Sequence, residues 1–231
     1  MRQKIVTKIA TLGPAFIIAL SVLPILGCAG QPTHHVDDAQ HGFSDVGLWS
    51  QILEGSGRDQ WQKPDEVIKN LKLKPGDVIA DIGAGTGYFT RRFAVAGGPQ
   101  GKAVGLETEA AMVEHMRQEA RRLNLTNYEA HLVKPDDPGL GPQSVDIIFF
   151  SNVYHHISNR VEYFRKLAKS LKPNGRIVIV DFYRKPLPVG PRPLEQKVSE
   201  ETIIKELGQA GYRLIRSLNF LPYQYFLEFG R

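Results

Sequence analysis

The sequence predicts an α/β domain in which a mostly parallel sheet is covered by helices on both faces. Two observations lead there. Apolar runs such as Ile147-Ile148-Phe149-Phe150 and Ile177-Val178-Ile179-Val180 do not alternate with polar residues. Strands of that kind are buried on both sides, which is the signature of a parallel layer between helices. Segments of helical spacing separate these runs along the chain, so strands and helices alternate.

Element by element, Val46–Leu53 reads as a short helix and Arg58–Pro64 as a loop. Pro64 then opens a helix to Leu71, because proline suits the first helical position and Asp65 and Glu66 suit the positive end of the dipole. The turn Lys72–Asp77 feeds the first strand, Val78–Ile82. Further strands are expected at Ala103–Glu107, Tyr128–Val133, Val145–Ser151 and Arg176–Phe182. Helices are expected at Tyr88–Ala96, Glu109–Leu123 and Arg160–Leu171, with a short turn around Asp136–Gly141 in place of one helix. Ser199 caps a helix that ends at Ala210 before Gly211. Tyr212–Leu218 and Tyr225–Phe229 lie close enough in sequence to form an antiparallel pair.

The most informative stretch runs from Val78 to Thr90. An apolar strand ends at Asp81-Ile82, and Gly83-Ala84-Gly85-Thr86-Gly87-Tyr88 follows at once. Glycines at alternate positions allow positive φ and let a ligand touch the main chain. The loop leads into a helix N-terminus, where free N–H groups point outward. Dinucleotide folds carry G-x-G-x-x-G with an acid about 20 residues further on. Here the spacing is G-x-G-x-G, with Asp81 two residues before the first glycine and Glu107 closing the next strand.

This pattern resembles motif I and the following acidic position of the class I S-adenosylmethionine-dependent methyltransferases, in particular the ubiquinone/menaquinone-biosynthesis-like group. The resemblance extends over residues 46–231 and implies a Rossmann-like, seven-stranded, mostly parallel sheet closed by an antiparallel C-terminal pair. It implies S-adenosyl-L-methionine as cofactor. Asp81, Gly83, Ala84, Gly85, Gly87 and Tyr88 would line its methionine end and backbone, and Glu107 its ribose hydroxyls. Asp136 or Asp137 would face the adenine amine.

Ligands of open α/β sheets sit at the carboxyl ends of the strands. That rule adds Ser151 and Asn152, and then Tyr154, His155 and His156, to the cleft. Either histidine could take a proton from an acceptor, since imidazole titrates near neutrality. Tyr154 could form a wall of the acceptor pocket. Trp61 and Gln62, with Asp59, could fold over the cofactor as a lid. Other readings of the chain are a non-catalytic module that holds an adenosyl cofactor, and an NAD-type oxidoreductase, which the glycine spacing disfavours. The cysteines that arsenite methylation needs are absent, because Cys28 is the sole cysteine.

The N-terminus has a different grammar. Arg2, Lys4 and Lys8 precede an apolar stretch, Ile9–Leu26, which closes on Gly27-Cys28. This resembles a bacterial lipoprotein signal: residues 1–27 would be removed and Cys28 lipidated. A retained anchor of about 18 apolar residues is the competing reading. Residues 28–45 read as a flexible tether. His34, His35, Asp37, Asp38 and His41 fall in it, and a tether cannot preorganise a metal site, so no metal is expected. The resulting location is a bacterial membrane, facing the periplasm, and Ala29 after the cysteine favours the outer membrane. The net charge of +5 falls to +2 once the three cations of the signal are removed. That is no footprint for nucleic acid, so the expected partner is a small-molecule acceptor. The oligomeric state is left open.

Overall fold

The computed structural model describes residues 46–55 and 57–231. The expected signal peptide, Cys28 and the tether lie outside the described residues.

A seven-stranded sheet runs through the described chain in the order β3-β2-β1-β4-β5-β7-β6. The strands are β1 (Val78–Ile82), β2 (Lys102–Glu107), β3 (Tyr128–Leu132), β4 (Val145–Ser151), β5 (Leu171–Phe182), β6 (Arg213–Leu218) and β7 (Gln224–Gly230). The first five are parallel, and β7 lies antiparallel to both β5 and β6. The direction reverses between β1, which leads to β2, and β4. That point is the switch at which such sheets bind ligands. The fold is therefore the one expected: mostly parallel, with an antiparallel C-terminal pair.

Around the sheet stand α1 (Val46–Leu53), α2 (Arg58–Gln62), α3 (Pro64–Leu71), α4 (Thr90–Gly97), α5 (Ala110–Arg122), α6 (Arg160–Leu167) and α7 (Glu200–Gln209). Short 3₁₀ turns occupy Tyr154–His156 and Leu194–Gln196. The period of two in a strand splits each apolar run between two cores. Ile148, Phe150, Ile177 and Ile179 join Phe164, Ile203 and Leu207 of α6 and α7. Ile147, Phe149, Val178 and Val180 join Val67, Leu71, Phe89 and Phe93 on the other face. Among the described residues no helix is long and apolar enough to cross a membrane.

Three boundaries differ from expectation. Arg58–Gln62 is a helix, not a loop, and stops at Lys63, whose φ of 45° breaks the α-helical path before Pro64 restarts it. Five residues carry no readable period, so the sequence could not announce it. The helix α4 begins at Thr90, because Gly87 (φ 79°) keeps Tyr88 and Phe89 within the glycine loop. The expected helix through Leu171 ends at Leu167, and β5 starts at Leu171, which pairs with Val145 before the register shifts. The cap at Ser199 forms as expected, with its hydroxyl accepting from the Thr202 amide at 3.3 Å.

Candidate active site

The glycine loop leaves the carboxyl end of β1 with positive φ at Gly83, Gly85 and Gly87. Two of these positions cannot carry a side chain. A Cβ on Gly83 would lie 2.6 Å from Val153, and one on Gly87 would overlap the Tyr128 hydroxyl. The loop is pinned by the amides of Gly83 and Ala84, which donate to the Leu106 carbonyl at 2.8 and 3.2 Å. Its bare backbone thus sits between β1 and β2, directly against the residue that follows Asn152.

Asp81 and Glu107 flank this loop, and their environments differ. Asp81 is buried and accepts a 2.6 Å hydrogen bond from Thr90 Oγ1. Burial drives its carboxyl up to about 7, although the Thr90 bond and the charge of Arg58 pull the other way. Glu107 is held by backbone. One carboxylate oxygen accepts from the Gly85 amide at 2.8 Å; the other accepts from the Thr108 amide at 2.6 Å and hydroxyl at 3.1 Å, and from Glu109 N at 3.3 Å. The end of β2 therefore presents an oriented carboxylate at the rim of the loop.

At the end of β4 the structure gathers Ser151 and Asn152 with Gln62. The fully buried Gln62 amide donates at 3.0 Å to Ser151 Oγ and at 3.0 Å to Gln224 Oε1, and Gln224 donates onward to Asn152 Oδ1. Gln62 is thus a buried clamp between α2, β4 and β7. Trp61 beside it is half-buried and tilts against Phe182 with ring centroids 5.7 Å apart. Tyr88 is buried, donates its hydroxyl to Asp59, and lies between the guanidinium groups of Arg58 and Arg92, at 3.7 and 4.0 Å from its centroid. These contacts fasten α2 to the glycine loop.

Beyond Asn152 the chain turns so that His155 meets the end of β5. His155 Nδ1 lies 3.4 Å from Asp181 Oδ2, and the two side chains are 7% and 3% exposed. The other Asp181 oxygen accepts from the Phe182 amide at 2.8 Å, which fixes the carboxylate. The neighbouring His156 ring centroid is 4.0 Å away, and His156 itself is exposed. Both histidines line an open cavity of about 840 Å³ with Ser158 and Arg160.

One expectation needs correction. Tyr154 does not form a wall of a pocket: it is fully buried, stacks on Phe164, and donates to Glu206 of α7 at 2.6 Å. Burial and that carboxylate push its hydroxyl far above the ordinary tyrosine range, so it is no proton donor or acceptor near neutrality. A buried aromatic after a strand is indistinguishable in sequence from one that lines a cleft. Asp136 and Asp137 lie on the turn that follows β3. Both are exposed, and Asp137 closes its own turn by accepting from the Gly139 amide at 2.9 Å.

Three residues of this region escaped the sequence reading as site residues. Asp181 ends an apolar strand just as Asp81 does, and that signal was legible. Gln224 reaches Asn152 across 72 positions, and Arg58 reaches the glycine loop from a helix with no period; neither contact has a local sequence signal.

Comparison with known proteins places this geometry in a family. Residues 73–216 match a protein-family profile described as "Methyltransferase domain", and the chain belongs to that family. A demethylmenaquinone methyltransferase of Lactobacillus johnsonii is 28% identical over 134 residues, which is 57% of this chain and 54% of that protein. A tRNA U34 carboxymethyltransferase of Desulfotalea psychrophila is 29% identical over 120 residues, 52% of this chain and 36% of that protein. The chain thus spans between about a quarter and about half of the length of such curated relatives. Among solved structures, an S-adenosylmethionine-dependent methyltransferase from Aquifex aeolicus superposes with a TM-score of 0.75 at 24% identity, covering 82% of this chain and 98% of that one. That likeness establishes the fold.

Proposed function

We propose that this chain transfers a methyl group from S-adenosylmethionine to a small-molecule or lipid-like acceptor. The observation that carries the reading is the pair of strand-end carboxylates, Asp81 and Glu107, on either side of a glycine loop with no room for a Cβ at Gly83 or Gly87. These residues fit the cofactor. The loop backbone can approach it closely, Glu107 is oriented to accept from two ribose hydroxyls, and the buried Asp81 suits an ammonium group. The cofactor would supply a methyl group on a positively charged sulfur, a strong electrophile. Much of the protein's work is then alignment, worth roughly 7–11 kcal/mol when the geometry is good.

His155 would take the proton of the acceptor. Asp181 holds its Nδ1, which leaves Nε2 as the basic nitrogen when Nδ1 carries hydrogen. This buried pair speaks for turnover and against a purely binding role, because a module that only holds a nucleoside has no use for an oriented base. The name of the Lactobacillus relative supports a lipid-like acceptor for this chain. The glycine spacing and the position of Asp81 speak against NAD.

Glu107→Ala tests the site. It removes two charge-assisted hydrogen bonds to ribose, so affinity for S-adenosylhomocysteine should fall about tenfold to a hundredfold. Thermal unfolding should stay cooperative. Unchanged affinity in isothermal titration would remove Glu107 from the site.

We also propose that Cys28 carries a lipid that anchors the domain to a bacterial membrane, facing the periplasm, with the outer membrane favoured by Ala29. The supporting observation is the sequence alone: three cations, an apolar core and Gly27-Cys28. A diacylglycerol with an amide-linked acyl chain gives stable anchoring where a single chain is marginal. Intact-mass analysis of protein from host membranes should show a lipidated N-terminal Cys28, and Cys28→Ser should abolish that mass. A chain starting at Met1 with a free thiol would make a retained anchor the better account.

A further inference from the structure

Three arginines surround the Tyr88 ring at the exit of the glycine loop: Arg58, Arg92 and Arg91, at 3.7, 4.0 and 5.7 Å from its centroid. Two have their own acids. Arg91 makes a two-pronged pair with Glu54 at 2.8 and 2.9 Å. Arg92 reaches both oxygens of Asp59 at 3.3 Å. Arg58 has no carboxylate within 4.0 Å among the described residues. Its Nε donates to the neutral Gln62 amide at 2.6 Å, and one terminal nitrogen donates to the Leu53 carbonyl.

This cation is partly withdrawn from water as well as unmatched. Removal from water lowers its pKa to about 10, and the charge of Arg92 adds to the effect. A cation in that position lacks the compensation that buried charges normally have. A guanidinium carries five N–H donors in a planar fork suited to a carboxylate, and the two recorded bonds leave the second terminal nitrogen with none.

Its placement says which anion would complete it. Leu53, whose carbonyl holds Arg58, packs 3.3 Å from where a Cβ on Gly85 would stand. Arg58 and Asp81 also act on each other electrostatically across the loop. A buried acid and an unmatched cation beside one glycine loop are complementary to a zwitterion, an amino acid's ammonium and carboxylate. We infer that Arg58 binds the carboxylate of the amino-acid end of the adenosyl cofactor, opposite Asp81. The inference rests on the cofactor reading above and adds a residue on α2, an element outside the glycine loop. Arg58 then has a second consequence. Through its bonds to Leu53 and Gln62 it ties α1 and α2 to the ligand, so the cofactor helps to hold those helices over the loop.

The test compares two probes by isothermal titration with the full chain in detergent. S-adenosylhomocysteine carries the amino-acid end. Methylthioadenosine keeps the nucleoside and thioether and lacks that end. Arg58→Gln should weaken S-adenosylhomocysteine about tenfold to a hundredfold and leave methylthioadenosine within about twofold. Arg58→Lys, which keeps the charge without the fork, should fall between. Binding of methylthioadenosine doubles as the check that each variant is folded. Equal loss for both probes, or no loss for either, would overturn the role of Arg58 while leaving the cofactor reading intact. Failure of the unmutated chain to bind S-adenosylhomocysteine would overturn both.

Discussion

Asp81→Asn should abolish most cofactor affinity and at the same time raise the thermal stability of the protein at pH 8. The two effects have one cause. Burial lifts the Asp81 carboxyl from 3.8 to about 7, so the folded protein holds that proton more tightly than the unfolded chain does. Between those pH values the native state binds more protons than the unfolded state. Stability therefore falls as pH rises through that window, by up to ~4 kcal/mol. Above pH 7 the wild type bears the full cost of a buried charge, whereas the amide bears none. The amide oxygen can still accept from Thr90 Oγ1, so the local packing survives. For a domain of this size the gain is a melting increase of roughly 8–16 °C at most. At pH 5 the gain should shrink, because much of the wild-type carboxyl is protonated there. Calorimetry of both proteins at pH 8 and pH 5 measures this; a variant less stable than wild type at pH 8 would contradict it. The loss of affinity follows from the same charge. An ammonium group stabilises the ionised carboxylate, so wild-type affinity should weaken as pH falls from 8 to 6, and the Asn variant should show neither the affinity nor that dependence.

His155→Ala should keep cofactor affinity and lose about 10²–10⁴ in the rate of methyl transfer, the range that a positioned base contributes. Only proton removal depends on its imidazole, which pairs with Asp181, while Asp81 and Glu107 are held by Thr90, Gly85, Thr108 and Glu109. Asp181→Asn should produce a large part of the same loss without removing the imidazole, since an amide can orient the ring in the wrong tautomer. His156→Ala is the internal comparison. It is exposed, whereas the His155 side chain is only 7% exposed and lies 3.4 Å from Asp181, so the rate of this variant should stay within about threefold of wild type. Formation of S-adenosylhomocysteine with the identified acceptor measures all three. Equal losses for His155→Ala and His156→Ala would point to a shaping role for the turn rather than to a base.

Much of this architecture was legible because it depends on local sequence. The apolar runs at Ile147–Phe150 and Ile177–Val180 announce buried strands, and Asp81 with Gly83, Gly85 and Gly87 announces the loop. Glu107 follows the same logic, an acid closing the next strand. Contacts between distant parts of the chain were hidden. Gln62 meets Ser151 across 89 positions and Gln224 across 162, and no local pattern encodes that. The adjacent histidines could not be separated in sequence, because the choice between them depends on the 3₁₀ turn at Tyr154–His156 that brings His155 to Asp181. Tyr154 departs from expectation for a related reason. Its polarity suggested a cleft, whereas Glu206 of α7 supplies a partner inside the packing.

The most direct test of the central claim is the thermal shift of the full chain with S-adenosylmethionine, S-adenosylhomocysteine and NAD. A ligand at about 100 times its dissociation constant stabilises the native state by roughly 2.7 kcal/mol. For a protein of this size that is a rise of roughly 5–11 °C in melting temperature. Both adenosyl compounds should give such a rise and NAD none. A rise with NAD, and none with either adenosyl compound, would contradict the account.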